Sequence, residues 1–245
     1  MAELFMNPDT WISLLTLTFM EVVLGIDNII FISIVTGRLP KEQQPRARNI
    51  GLALALIFRI LLLLSITWIL GLKEPLFHIY GYGITGKGII LLLGGFFLLA
   101  KSTSEIYHKA EGASKEEKSG GYIGAVTMRS IIFQIILLDL VFSFDSILTA
   151  VGLVDQVIIM IIAVVIAMII MMLFSGVISN FINKHPSLQM LALAFLILIG
   201  FMLILEGLPE GLGYHVPKGY IYFALFFSLM VEMLNIRIRK KVIHE

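Results

Sequence analysis

Met20-Glu21-Val22-Val23-Leu24-Gly25-Ile26-Asp27-Asn28-Ile29-Ile30 has a second version 118 positions further on, Leu138-Asp139-Leu140-Val141-Phe142-Ser143-Phe144-Asp145-Ser146-Ile147-Leu148. Each copy sets two carboxylates six residues apart in a run otherwise apolar enough to cross a bilayer. An ionisable side chain near the bilayer centre costs about 2.5 to 3.5 kcal/mol even on the lenient insertion scale. Four of them need partners, protons or a bound cation to offset that cost, so the repeated stretch reads as a functional site.

The rest of the chain supplies the bilayer setting. Its 245 residues are 58% hydrophobic and only 14% charged, with a mean hydropathy of +0.97, far more apolar than a soluble domain of this length. The expected class is an all-α membrane protein whose first partner is the lipid bilayer. The absence of Cys excludes disulfides, thiolate metal sites and a cysteine nucleophile. A formal net charge of +1 makes no case for a nucleic-acid partner.

A hydrocarbon core about 30 Å thick takes roughly 20 apolar residues of helix, and seven segments qualify, near 11–36, 49–72, 86–102, 127–153, 156–180, 187–207 and 218–236. The N-terminus carries Glu3 and Asp9 and has no basic n-region, so the first span is expected to stay in the protein. Basic residues gather in alternate loops. Arg38, Lys41, Arg46 and Arg48 follow span 1, and Lys101, Lys109, Lys115, Lys118 and Arg129 separate spans 3 and 4. Lys184 follows span 5, and Arg237, Arg239, Lys240 and Lys241 close the chain. Only Lys73, Lys87 and Lys218 fall on the other side. The positive-inside rule then puts the N-terminus outside and the C-terminus in the cytoplasm.

Three crossings separate the copies of the acidic motif, so spans 1 and 4 enter the membrane from opposite sides and the halves are inverted. Gly95-Phe96-Phe97-Leu98-Leu99-Ala100-Lys101 in span 3 likewise resembles Gly200-Phe201-Met202-Leu203-Ile204-Leu205-Glu206 in span 6. The expected organisation is an inverted 3+3 repeat with one extra C-terminal helix. Residues 1–111 form the first three-span repeat, 112–122 a cytoplasmic linker, 123–210 the second repeat, and 211–245 the seventh helix with a basic cytoplasmic tail. Secondary transporters are built this way, with sites near the midplane contributed by both halves.

Six helical residues separate the acids of each pair by about 9 Å along the axis and turn them about 120° apart. Gly25, with Ser143 in its place in the second copy, is therefore read as a hinge or helix break that lets both acids face one site. Asn28 and Ser146 follow the second acid and offer further oxygens. Arg59 lies roughly 16 Å into span 2 and is the natural counter-ion or gate. Four acids and one guanidinium leave a surplus of negative charge that one divalent cation does not cancel, so a carboxylate must hold a proton in part of the cycle. A site that alternates between protons and a metal ion is a candidate antiporter.

The candidate ligands Glu21, Asp27, Asn28, Asp139, Asp145 and Ser146 all present oxygen, which suits Mn²⁺, Ca²⁺ or Mg²⁺ over zinc or copper. The five histidines, His78, His108, His185, His215 and His244, are placed in loops or tails. Met160, Met168, Met171 and Met172 of span 5 are best explained by packing, with thioether coordination as the lesser reading. Glu105, His108 and Glu111 are read as a solvated helix end. No organic cofactor is called for, and no enzyme. An intramembrane aspartyl protease would also use two aspartates, but its Gly-x-Gly-Asp signature is absent, the local sequences being Gly25-Ile26-Asp27 and Ser143-Phe144-Asp145. A membrane scaffold handling metal without moving it is the other alternative.

Glu21 to Asn28 with Asp139 to Ser146, Gly94 to Lys101 running into Ser102-Thr103-Ser104-Glu105, and Lys218-Gly219-Tyr220-Ile221-Tyr222-Phe223 onward to Asn235 resemble the TerC family of integral membrane proteins. That family belongs to the LysE-like transporter group, and several bacterial members are linked to manganese export. The resemblance implies Mn²⁺ as the transported ion, exported across the bacterial cytoplasmic (inner) membrane. It also implies a role for Glu21, Asp27, Asn28, Asp139, Asp145 and Ser146 at the matching motif positions.

Overall fold

The computed structural model describes residues 6–115, 127–152, 154, 156–209, 212 and 217–242. Among the described residues, eight helices and one hairpin run in the order α1 (Pro8–Thr36), α2 (Gln44–Leu64), α3 (Ile66–Gly71), β1 (Pro75–Ile79), β2 (Tyr82–Thr85), α4 (Gly86–Lys115), α5 (Met128–Val151), α6 (Val157–Asn183), α7 (Pro186–Gly207) and α8 (Lys218–Val242). All but the six-residue α3 are long and apolar enough to span a membrane, which makes seven spans, as expected. This is an all-α membrane protein. Most of the expected 112–122 linker and the last three residues of the tail lie outside the described residues.

Local chemistry fixes the helix starts. Asn7 caps α1, its side-chain oxygen accepting from the Asp9 amide at 3.0 Å, and Pro8 occupies the first turn, where no amide donor is needed. Thr127 caps α5 in the same way through Ser130. Pro186 opens α7. The α1–α2 turn is tied by Gln44, whose amide donates to the Leu39 carbonyl at 2.8 Å. Ser33 and Thr36 inside α1 are satisfied by its own backbone, donating to the carbonyls of Ile29 and Ile32, the internal pairing that lipid favours.

One expectation on extent is corrected. The span placed at 49–72 ends at Ser65, where the backbone leaves the helical region and the chain restarts as α3. The stretch before span 3 is an antiparallel hairpin, turned by Tyr80 and Gly81 with φ of 51° and 86°. Two consecutive positive φ values give the tight turn whose twist matches the strands. His78 accordingly lies on a strand and His108 within α4, while His185 sits in the loop before α7.

The chain divides into two compact units, each drawing on both halves of the sequence. The first takes Met1–Leu76 and Tyr122–Asn183. In it α1 packs on α6 and α2 on α5, with further α2–α6 and α1–α5 contacts. The core between them is apolar and mostly aliphatic, with Phe31, Leu52, Leu63, Ile131, Ile135, Leu138, Ile147, Met168 and Met171 essentially sealed.

The second unit takes Phe77–Gly121 and Lys184–Glu245 and is built on the α4–α7 pair. Glycines bring these two backbones together. A β-carbon on Gly95 would lie 2.6 Å from the Gly200 carbonyl oxygen, and one on Gly88 would lie 2.7 Å from that of Gly207. The contacts are reciprocal and set the helices antiparallel, the small-residue packing that substitutes for a hydrophobic drive in lipid. Lys87 pairs with Glu206 at 2.8 Å at one end. At the other, Lys109 meets Gln189, and Glu105 pairs with Lys101 at 3.0 Å. Glu105 is only 1% exposed, which corrects its placement on a solvated helix end, whereas His108 is exposed as expected. α8 contacts α7 sparingly and presents Tyr220, Phe223, Phe226 and Phe227 outward, as a helix bathed in lipid does.

Candidate functional site

Within the first unit, the hydrocarbon-facing helices enclose one charged cluster. Arg59 on α2, 2% exposed, binds Glu21 of α1 through Nη1, and through Nη2 it binds Oδ1 of Asp139 on α5 at 3.2 Å. Its Nε donates to Ser143 Oγ at 2.8 Å. Ser143 in turn donates to Asp139 Oδ2 at 3.0 Å, one helical turn back. Asn28 donates from Nδ2 to Asp139 Oδ1 at 3.3 Å. Glu21 and Asp139 are each 5% exposed. All three nitrogens of the guanidinium are thus engaged, which a buried cation requires if it is not to be strongly destabilising.

The first acids of the two motif copies meet on one arginine. If both are ionised, the cluster carries one net negative charge. Sequence reasoning placed Glu21, Asp139, Asn28 and Arg59 together, and the fold brings these four together. Ser146 is buried and donates to the Ser143 carbonyl at 3.3 Å, so its hydroxyl serves the helix backbone. Asp27 and Asp145 lie within α1 and α5, but their side chains fall outside the described residues. Among the described residues no three His, Asp or Glu side chains gather as a ready-made metal cage.

The expected break at Gly25 and Ser143 is corrected, since α1 and α5 run through both positions as continuous α-helix. Gly25 has a different use. A β-carbon there would overlap the thioether sulfur of Met171 on α6, so the missing side chain makes the notch in which that sulfur sits. Ser143 bridges Arg59 to Asp139. Neither role has a local sequence signal, because each depends on a helix distant in the chain.

Among the described residues, two cavities lie along the α1–α6 seam. The outer, about 210 Å³, is lined by Asn7, Asp9, Thr10, Ser13, Val154, Gln156 and Ile159. The inner, about 10 Å³, touches Glu21 and is otherwise walled by Leu17, Leu63, Ile147, Ala150, Met160, Ala163 and Val164. That is about the space of one water.

The profile of the "Integral membrane protein TerC family" matches residues 6–244. The chain belongs to the TerC family. A UPF0053 protein of Haemophilus influenzae is 48% identical over 98% of this chain and 99% of its own length. The UPF0053 inner membrane protein YgdQ of Escherichia coli K12 is 49% identical over 96% of each. A longer relative from the same organism, the UPF0053 inner membrane protein YoaE, is 43% identical over 95% of this chain but only 44% of its own length. No solved structure is significantly similar. This TerC-family protein therefore has relatives matched over nearly their full length, of which YgdQ is named an inner membrane protein, and none of these names states an activity.

Proposed function

We propose that this TerC-family protein is a secondary transporter of the inner membrane, not an enzyme, that exports Mn²⁺ and related hard divalent cations in exchange for protons. The observation that carries the reading is the meeting of Glu21 and Asp139, matched acids from the two motif copies, on Arg59 in the sealed interior of the first unit. A cation arriving there competes with the guanidinium for the same two carboxylates. Arg59 acts as the tethered counter-ion that holds the empty site closed, and Asp27 and Asp145 complete the oxygen set. The inverted repeat is supported by the pairing of α1 with α6 and α2 with α5, which are one contact made twice if α1 maps to α5 and α2 to α6. Loop charge supports an outside N-terminus and a cytoplasmic C-terminus. Export rather than import rests on the family resemblance.

Purified protein in liposomes with an imposed pH gradient tests this. Mn²⁺ movement is expected to depend on the gradient and to fall at least roughly tenfold in Glu21→Gln, Asp139→Asn, Asp27→Asn and Asp145→Asn, a loss of more than about 1.4 kcal/mol of stabilisation. Undiminished flux in all four would end the site assignment. The fully satisfied Arg59 also suits a second reading, a metal-handling scaffold whose ion pair is structural. Binding of Mn²⁺ without flux would favour it.

A further inference from the structure

Glu21, Gly25 and Asn28 recur at i, i+4 and i+7, so they occupy one face of α1. Glu21 and Asn28 belong to the charged cluster. Between them, at Gly25, the chain gives up its side chain to seat Met171, which is 2% exposed; a β-carbon there would also lie 3.0 Å from Met171 Cε. The sulfur is therefore held in the same stripe as the two polar groups. Packing alone would be served as well by alanine against a shorter apolar side chain, and glycine inside a helix is the more costly choice.

Asn28 adds an independent sign. Its Nδ2 is spent on Asp139, while its Oδ1 is buried with no hydrogen-bond partner among the described residues. Buried acceptors are normally satisfied, and an exception asks for an explanation such as a bound water or ion. A thioether sulfur carries lone pairs and no proton to donate, so Met171 cannot satisfy that oxygen. A cation bound on this face of α1 would offer a partner to both.

Resting on the transport reading above, we propose that the Met171 thioether is a soft donor to the transported cation and makes the site prefer transition-metal ions over Mg²⁺ and Ca²⁺. Oxygen-only sites separate these ions poorly by donor type, since carboxylate and carbonyl oxygens suit all of them. One sulfur adds binding free energy for softer ions and little for the alkaline earths. The lesser reading of the α6 methionines thereby gains a specific residue. Met160 faces the inner cavity, and Gly25 singles out Met171.

The test uses the full chain in liposomes, with Cd²⁺ as a soft competitor and Mg²⁺ as a hard one against Mn²⁺. Met171→Leu keeps the volume. The ratio of Cd²⁺ to Mn²⁺ needed to halve Mn²⁺ movement is expected to rise about tenfold, and Mg²⁺ is expected to compete better, by the loss of one soft ligand. Unchanged ratios would overturn the proposal. Should Met171→Leu fail to fold, X-ray absorption on Cd²⁺-loaded wild type decides. The chain has no Cys and 12 Met, so any sulfur neighbour of the metal is a thioether. A shell with sulfur is expected, and an oxygen-only shell would overturn the inference. Protein that binds and moves no divalent cation would end the transport reading and this inference together, whereas Mn²⁺ movement through an oxygen-only shell would end this inference alone.

Discussion

Arg59 carries the electrostatics of the buried cluster, and its three guanidinium nitrogens reach three side chains on two other helices. Removing it strands Glu21 and Asp139 in hydrocarbon, and breaking a buried pair costs about 3 to 5 kcal/mol. Arg59→Met should therefore melt well below wild type in detergent. Adding Glu21→Gln and Asp139→Asn should recover much of the loss, because the stranded charges are gone. Thermal unfolding followed by size exclusion checks both, and an Arg59→Met protein as stable as wild type would contradict the account. Arg59→Lys should rescue poorly, since one ammonium cannot span Glu21, Asp139 and Ser143 as the planar fork does. Glu21, Asp139 and Arg59 were legible in the sequence because charge in a membrane span is costly. Ser143 was misread as a hinge, and the Gly25–Met171 contact was not legible at all, because packing between α1 and α6 leaves no periodic trace in either segment.

Between α4 and α7 the helices are held by backbone proximity, so glycine substitutions there should be graded by what the new β-carbon meets. Gly95→Ala would set it 2.6 Å from the Gly200 carbonyl oxygen and 2.7 Å from Ile204 Cγ1. A carbonyl in a helix cannot step aside alone, and overpacking of this kind costs about 1 to 3 kcal/mol. Gly219→Ala, with nothing within 4 Å of the new carbon, is the control. Its stability should hold or rise slightly, given the better helix propensity of alanine. Melting temperatures of the two variants test the contrast, and equal values would refute close α4–α7 packing. At this scale hydropathy delivered all seven spans, because apolar length is what a bilayer selects. It missed the restart at Ser65 and the β1–β2 hairpin. Ser65 sits in an unbroken apolar run, and the Tyr80-Gly81 turn lacks the usual Asn-Gly or Asp-Gly signature.

Across the whole chain, loop charge and the odd number of crossings between motif copies make a topological claim that the absence of cysteine renders testable without background. The outer cavity is lined by Asn7, Asp9, Thr10 and Ser13 from the start of α1, and the inner one touches Glu21. Leu14, 7% exposed, lies on the stretch of α1 between them, and Leu17, 3% exposed, lines the inner one. If the N-terminus is outside, a membrane-impermeant maleimide should label Ser13→Cys on intact cells, and Lys41→Cys, in the loop after α1, only after permeabilisation. The opposite pattern would invert the orientation and with it the positive-inside assignment. Leu17→Cys should resist the reagent, because its position is sealed against α6. A transporter that alternates access must at some stage open the seam that separates its buried carboxylates from one side of the membrane. If the protein exports Mn²⁺ as proposed, loading Mn²⁺ on the cytoplasmic side under an inward proton gradient should make Leu17→Cys reactive from outside. Leu17→Cys that stays unreactive while Mn²⁺ crosses the membrane would place the exit path elsewhere than along α1 and α6.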